Sequence, residues 1–197
     1  DKDGKTVWLK KDDALERIAK GEKVLSSIQR NYLHKDAFAH VLGYVGQISA
    51  DQVMLPQYSG YGVSDFIGKM GLEYQYETLL HGKNGKELYE VDAMGKQVRF
   101  LGKEEEIAGK NIVTTLDIDI QLVAKDAMED IQKGAVVVTD PRDGAIRALY
   151  SKPSYDPNVF THTDDYKSTG PYQKVEQILL DGENQPLLDR AISGVYP

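Results

Sequence analysis

Apolar residues along this chain come in short bursts, and the spacing inside each burst sets the element expected there. In residues 12–20 (DDALERIAK), Leu15, Ile18 and Ala19 fall on one side of a helical turn, an Asp stands at the N-cap and Gly21 at the stop, which predicts a short amphipathic helix. Between Val24 and Val45 the pattern turns strand-like in pieces. Residues 39–46 (AHVLGYVG) are the most apolar of these, with Gly43 and Gly46 marking bends or close backbone approach. Residues 55–62 (LPQYSGYG) mix Pro, Gly, Ser and tyrosines and predict a flexible or partner-facing loop. Ser64 reads as the cap of a short helical stretch, and in residues 71–80 (GLEYQYETLL) apolar groups at Leu72, Tyr76, Leu79 and Leu80 repeat at helical spacing until Gly82 ends the run. Residues 87–101 read as a hairpin, with Leu88 and Tyr89 to Val91 on one arm, Val98 to Leu101 on the other and Ala93-Met94-Gly95 at the tip.

After about residue 108 the pattern changes. Residues 111–115 are β-branched and predict a strand. Asp117 is placed to cap a helix whose expected buried face is Ile120, Val123, Ala124, Ala127 and Ile131, ending at Lys133-Gly134. Residues 135–151 (AVVVTDPRDGAIRALYS) predict two strands joined at Asp140-Pro141-Arg142-Asp143-Gly144, where Pro suits the second turn position and Gly a positive φ. Residues 152–158 read as a loop and residues 166–180 as weakly helical. The expected class is α+β, in two units.

Composition narrows the function. With 197 residues, 41% of them hydrophobic, the chain can bury a real core as one large domain or two small ones. A net charge of −7 argues against a binder of nucleic-acid backbones, which needs a basic face. Cysteine is absent, so disulfides, thiolate nucleophiles and Cys-ligated metals are excluded. No run of about 18 apolar residues and no signal-peptide pattern occurs.

A search for chemistry returns little. Serine nucleophiles announce themselves as G-x-S-x-G or as Ser-x-x-Lys on a first helical turn, and neither occurs. Lys167-Ser168-Thr169-Gly170 has one residue too many for a Lys-Thr-Gly strand motif and lies in a polar stretch. His34, His40, His81 and His162 show no paired ligand spacing, so no metal or cofactor is expected. Residues 81–87 (HGKNGKE) lack the phosphate-cradling pattern and read as a hairpin approach. The carboxylate pairs, such as Asp117 with Asp119 or Asp164 with Asp165, have no apolar flanks to raise a pKa.

Taken in order, the segments are more specific than their parts. Residues 39–46, then 67–87 (IGKMGLEYQYETLLHGKNGKE), 114–121 (TTLDIDIQ), 134–160 and 186–197 (PLLDRAISGVYP) resemble the succession found in class B penicillin-binding proteins of the elongation type, over about residues 30–197. Gly68, Gly71, Glu73, Glu77 and Gly82 look like the signature of that family's non-catalytic pedestal. The hairpin from Val137 through Asp140 to Gly144 is similar to the opening strands of its transpeptidase domain, and Arg190 falls in a family motif. Two departures stand out: Asp189-Arg190-Ala191 replaces the usual Asn-Arg-Ala, and Arg30-Asn31-Tyr32-Leu33 the frequent Arg-x-Tyr-Pro.

The resemblance implies a pedestal of the dimerisation type over 1–110 and an incomplete first portion of a penicillin-binding transpeptidase domain over 111–197. It implies a Ser-x-x-Lys nucleophile a few residues beyond Pro197, so no catalytic position falls in this chain. The parent's serine would attack a stem-peptide D-Ala carbonyl and be resolved by a second stem's amine, and β-lactams would acylate it. The resemblance further implies a membrane anchor upstream, a site on the outer face of the cytoplasmic membrane, and as partners an MreC-type scaffold and a SEDS-class membrane glycosyltransferase. Tyr58, Tyr61, Tyr74, Leu79 and Leu80 are the candidate docking residues; alternatively, Leu79 and Leu80 pack on the following hairpin. A non-enzymatic adaptor of the cell-wall elongation machinery is the competing expectation.

Overall fold

A computed structural model describes residues 11–22, 29–63, 65–162 and 166–195. The first element, α1 (Lys11–Ala19), carries Asp12 and Asp13 in its first turn and Arg17 in its last, the charge order that complements the helix dipole. It starts one residue before the predicted segment, which moves the acidic pair from the cap into the first turn. Its apolar side, Leu15 and Ile18, is exposed.

Residues 39–42 are helical, contrary to the strand-like expectation. A 3-10 turn (Lys35–Phe38) runs into α2 (Ala39–Leu42), which stops at Gly43. Ala37, Phe38, Ala39 and His40 are all buried, and a short run buried on every side carries no period that separates helix from strand. β1 (Val45–Gln47) follows. Ser49 caps α3 (Ala50–Val53) through a reciprocal capping box with Gln52. The predicted partner-facing loop folds inward instead: Tyr58 is 5% exposed and packs with Ile48 and Ile67, with Tyr61 laid edge-on against it at 5.4 Å. A tyrosine ring buries a large apolar area once its hydroxyl is wet or bonded, so two of them fold a polar-looking loop onto a core. The expected cap at Ser64 lies outside the described residues.

β2 (Phe66–Gly68) pairs antiparallel with β1, Val45 facing Gly68. The single predicted helix over 71–80 is two, α4 (Gly71–Gln75) and α5 (Glu77–Leu80), broken at Tyr76. The hairpin forms from β3 (Lys86–Val91) and β4 (Gln97–Glu104). Residues 111–115 form no strand. They are held against the second unit at points, through the Thr115 hydroxyl donating to the Ile146 carbonyl and the Arg147 guanidinium donating to the Thr115 carbonyl. β-branched composition favours extension, but a strand needs a continuous partner edge, and here only single contacts are made.

Asp117 caps α6 (Ile118–Asp126) as expected, its Oδ1 accepting from the N–H groups of Asp119 and Ile120. The buried face is Gln121, Ala124 and Met128, whereas Ile120, Val123, Ala127 and Ile131 are exposed. β5 (Gly134–Thr139) and β6 (Ile146–Lys152) pair antiparallel, Val138 opposite Ala148, around the predicted turn. Of the weakly helical stretch only α7 (Val175–Leu180) is helix, and α8 (Arg190–Ser193) closes the described chain.

Two buried clusters organise the second half. Ala124 and Met128 pack on Ala148 and Tyr150, with Val136 and Val138 against them. Ala39 packs with Tyr155, Tyr172 and Ile178, joined by Tyr44 and Phe160, whose rings stack at 3.8 Å. The second cluster draws the N-terminal and C-terminal halves into one core. Among the described residues, no helix is long and apolar enough to cross a membrane.

Candidate functional site

The glycine and glutamate motif forms a tight knot. A Cβ on Gly68 would lie 2.1 Å from the backbone carbonyl of Glu73, so only hydrogen lets β2 lie this close to α4. Gly71 sits at φ +62°, and a Cβ there would fall 2.6 Å from the Gly43 nitrogen. That close approach brings two carboxylates inward. Glu77 Oε2 accepts the Gly68 N–H at 2.6 Å and its Oε1 accepts the Tyr61 hydroxyl at 3.1 Å. His81 Nδ1 stands 3.2 Å from the same Oε1 while its ring stacks on Tyr61 at 4.1 Å. Burial, and then the Glu77 charge, push the Tyr61 phenol far above its usual range.

Glu73 is 7% exposed and takes a two-pronged grip from Arg30, with Nε at 2.9 Å from Oε1 and Nη2 at 3.0 Å from Oε2. Burial raises the Glu73 carboxyl while Arg30 pulls it back down. Tyr32 lies beside this pair, and its buried hydroxyl accepts the Val45 N–H at 3.0 Å. The departure from the family pattern at Leu33 therefore leaves the two side chains that matter here, Arg30 and Tyr32, in place. Gly82 closes the knot at α5's end, its backbone against Ile107.

A second constellation fastens residues 32–40, which lead into this knot, to the second half of the chain, through bonds between side chains and backbone and through the Lys125–Asp36 ion pair at 2.8 Å. Gln121, fully buried, donates to the carbonyls of Ala37 at 2.6 Å and Leu149 at 2.9 Å, and accepts the Leu149 N–H at 2.8 Å. Asn158 pairs with both backbone groups of Tyr32, at 2.8 and 2.9 Å. His40 Nε2–H donates to the Pro186 carbonyl at 2.7 Å, since a carbonyl can only accept, and burial holds the imidazole below its ordinary range. Arg190 donates to the carbonyls of Asn184 and Gln185, and its own N–H bonds the Ser151 hydroxyl. Asp189 caps α8 through Oδ1, while its Oδ2 is buried without a partner among the described residues. At the β5–β6 turn, hydrogen bonds from Arg142 and then Arg147 hold the Asp140 carboxyl well below the carboxylate range, with Gly144 completing the turn at positive φ.

The docking candidates separate. Tyr74 (54% exposed) and Leu79 (42% exposed) face outward on α4 and α5, whereas Leu80 and Tyr61 are half-buried and Tyr58 belongs to the interior. A groove of about 220 Å³ lined by Gln57, Tyr58, Tyr74, Gln75, Glu77 and Thr78 brings Tyr58 and Tyr74 to one place. Sequence reading passed over Gln121 and Asn158, and saw Arg30 only as part of a family motif. Gln121 carried the clearest signal, standing three and seven residues before Ala124 and Met128 on one helical stripe.

Comparison with known proteins gives this architecture its class. The profile of the Penicillin-binding Protein dimerisation domain matches residues 12–114, and the chain belongs to that family of penicillin-binding proteins. More particularly, it is 40% identical over 177 residues to the Peptidoglycan D,D-transpeptidase MrdA of Acinetobacter baumannii, covering 90% of this chain and 25% of that protein. Among solved structures it is similar to the complex between Penicillin-Binding Protein (PBP2) and MreC from Helicobacter pylori, with a TM-score of 0.63 and 30% identity over 82% of this chain and 28% of that one. It is similar also to a chain of a peptidoglycan synthase complex described as coordinating polymerization and crosslinking, with a TM-score of 0.67 and 32% identity over 91% of this chain and 33% of that one. The chain spans about a quarter of the length of the curated relatives it matches. The resemblance to the class B family and the α+β fold read from the ordered motifs are borne out.

Proposed function

We propose that this chain is the pedestal-bearing part of a peptidoglycan D,D-transpeptidase of cell-wall elongation, working on the outer face of the cytoplasmic membrane. In this reading residues 1–110 are the pedestal and residues 111–197 open the transpeptidase domain. The sequence holds no Ser-x-x-Lys, so the serine that acylates on stem peptides or β-lactams belongs to the longer protein. The observation that carries the reading is the fastening of residues 32–40 of the pedestal to the second half of the chain. Gln121, Asn158 and His40 bond backbone across it from buried positions, so a load on the pedestal is passed to the catalytic domain's first helix and hairpin.

The relatives' names support the rest: one similar structure is a complex with MreC and another a peptidoglycan synthase complex. An MreC-type scaffold and a SEDS-class glycosyltransferase are the partners proposed here, with Tyr74, Leu79 and the groove floored by Tyr58 as the docking surface. A fluorescent penicillin tests the enzyme reading. The full-length protein takes a covalent label and this 197-residue chain takes none. A labelled band from this chain overturns the assignment. So does an unlabelled native product with the mass of this chain, which favours the adaptor. For docking, Tyr74→Ala with Leu79→Ala is expected to weaken scaffold binding by calorimetry about tenfold; unchanged binding removes that surface.

A further inference from the structure

We propose that Asn84-Gly85 is a deamidation site set in the joint between the knot and the β3–β4 hairpin, where loss of the Asn84 amide as ammonia loosens the attachment of one to the other. The chemistry belongs to the chain itself and does not depend on the enzyme reading.

The sequence holds one Asn-Gly, and both of its residues are exposed. Glycine matters because the following backbone nitrogen must swing onto the side-chain carbonyl, and without a Cβ nothing hinders that approach. The Gly85 nitrogen attacks Asn84 Cγ, the Cγ–Nδ2 bond breaks, and ammonia leaves with the proton that the Gly85 nitrogen gives up. Water then opens the cyclic succinimide at one carbonyl or the other. One opening yields aspartate. The other yields isoaspartate, in which the chain runs through the side chain and is one carbon longer.

The fold selects this glycine. Asp143-Gly144 and Asp181-Gly182 could close the same ring with loss of water, but there the glycine N–H is spent, Gly144 donating to the Asp140 carbonyl at 2.8 Å and Gly182 to the Leu180 carbonyl at 2.9 Å. At residue 85 the ladder has a gap. Lys83 pairs with Ile107, and pairing resumes in the same register with Lys86 opposite Glu104, while Gly85 and the Glu105 it should face stay unpaired. Among the described residues the Gly85 N–H donates to no backbone carbonyl. The consequences fall on the joint. Asn84 Nδ2 donates at 3.2 Å to Asp65 Oδ2, the oxygen that also accepts the Gly62 N–H at 3.0 Å. Either product sets a second carboxylate against that oxygen, so an attraction becomes a repulsion. The longer isoaspartyl chain has no slack either, since even a Cβ on Gly85 would lie 2.9 Å from the Glu104 carbonyl oxygen and 3.0 Å from the Glu106 nitrogen.

The test is to hold the whole chain at mildly alkaline pH and follow it by peptide mass mapping and by methyl transfer from S-adenosylmethionine with an isoaspartyl methyltransferase. Isoaspartate is expected at residue 84 before any other position, at a rate close to that of a free peptide of residues 81–87. Asn84→Gln, which keeps the amide donor but cannot close the five-membered ring, is expected to abolish that label. Hydrogen exchange reads the loosening: in Asn84→Asp the amides of Gly62, Lys83 and Ile107 are expected to exchange about tenfold faster than in Asn84→Gln. Residue 84 protected in the folded chain relative to the peptide, earlier modification at Asp143 or Asp181, or equal exchange in the two variants overturns the proposal.

Discussion

The knot of residues 66–82 and the β3–β4 hairpin are neighbours in the chain with opposite physical characters. In the knot, Gly68 and Gly71 let backbone touch backbone, and Glu73 and Glu77 are buried with every charge answered. In the hairpin, all of β3 and nearly all of β4 face solvent, Tyr89 and Phe100 included. The first region has one permitted geometry because each group excludes alternatives. The second holds its shape by a local ladder and keeps its surface in solvent. Substitutions in the knot should therefore unfold the protein, and those in the hairpin should cost little stability.

The largest effect is expected from Gly68→Ala, whose methyl meets the Glu73 carbonyl and cannot be relieved by a rotamer. A loss of about 3 kcal/mol or more in urea unfolding is expected, against less than about 0.5 kcal/mol for Gly102→Ala in the hairpin, where an added Cβ meets open space. Next comes Gln121→Leu, which keeps the volume but leaves the Ala37 carbonyl and both Leu149 backbone groups dry and unbonded. About 2–3 kcal/mol is expected, and a near-neutral result would break the claim that the two halves of the chain are fastened here.

Acid sharpens the comparison further. His40 is held neutral by burial, so below about pH 6.5 the unfolded chain takes up a proton that the folded one refuses, and stability falls as pH falls. Glu73 has the opposite sign: its raised pKa means the folded protein binds the extra proton above about pH 4.3, and stability there falls as pH rises. Unfolding free energies from urea titrations should therefore drop between about pH 7 and pH 5 by at most about 1.4 kcal/mol per pH unit, and His40→Gln should flatten that slope while Glu73→Gln, which removes the opposing contribution, steepens its acid end. The smallest effect is Phe100→Ala, which removes an exposed cross-strand ring pair at 5.4 Å. About 0.5 kcal/mol is expected by the same measurement, and a loss as large as that of Gly68→Ala would erase the distinction between the two regions.

Legibility in the sequence followed locality. The strands on either side of Asp140–Gly144, the Asp117 cap and the β3–β4 hairpin were readable because turn chemistry, capping and alternation act within a few residues. Residues 39–42 misread as strand because four residues, two of them buried and two half-buried, are too few to show a period. The α6 face misread because Ile120 and Val123 outrank Gln121 in hydropathy, while the partner surface at Ala37 and Leu149 needed a hydrogen-bonding side chain. For the site, Gly68, Gly71, Glu73 and Glu77 were visible as a motif; their mates Arg30, Tyr61 and His81, up to 43 residues away, were not. Tyr58 and Tyr61 look like exposed aromatics in a Gly-Pro loop, yet Tyr58 is buried and Tyr61 half-buried, because Ile48 just after β1 and Ile67 in β2 fold over them.

By itself the sequence determined the family, the order of the elements and the positions where only glycine or a capping aspartate would serve, because these depend on residue type and short spacing. Which apolar faces are buried, which carboxylates are answered, and that the Gly85 N–H is left without a backbone partner among the described residues were decided only by the tertiary structure. Burial and pairing are properties of surfaces brought together from afar, and the free energy of a buried Gln121 or a paired Glu73 exists only once its partners have arrived.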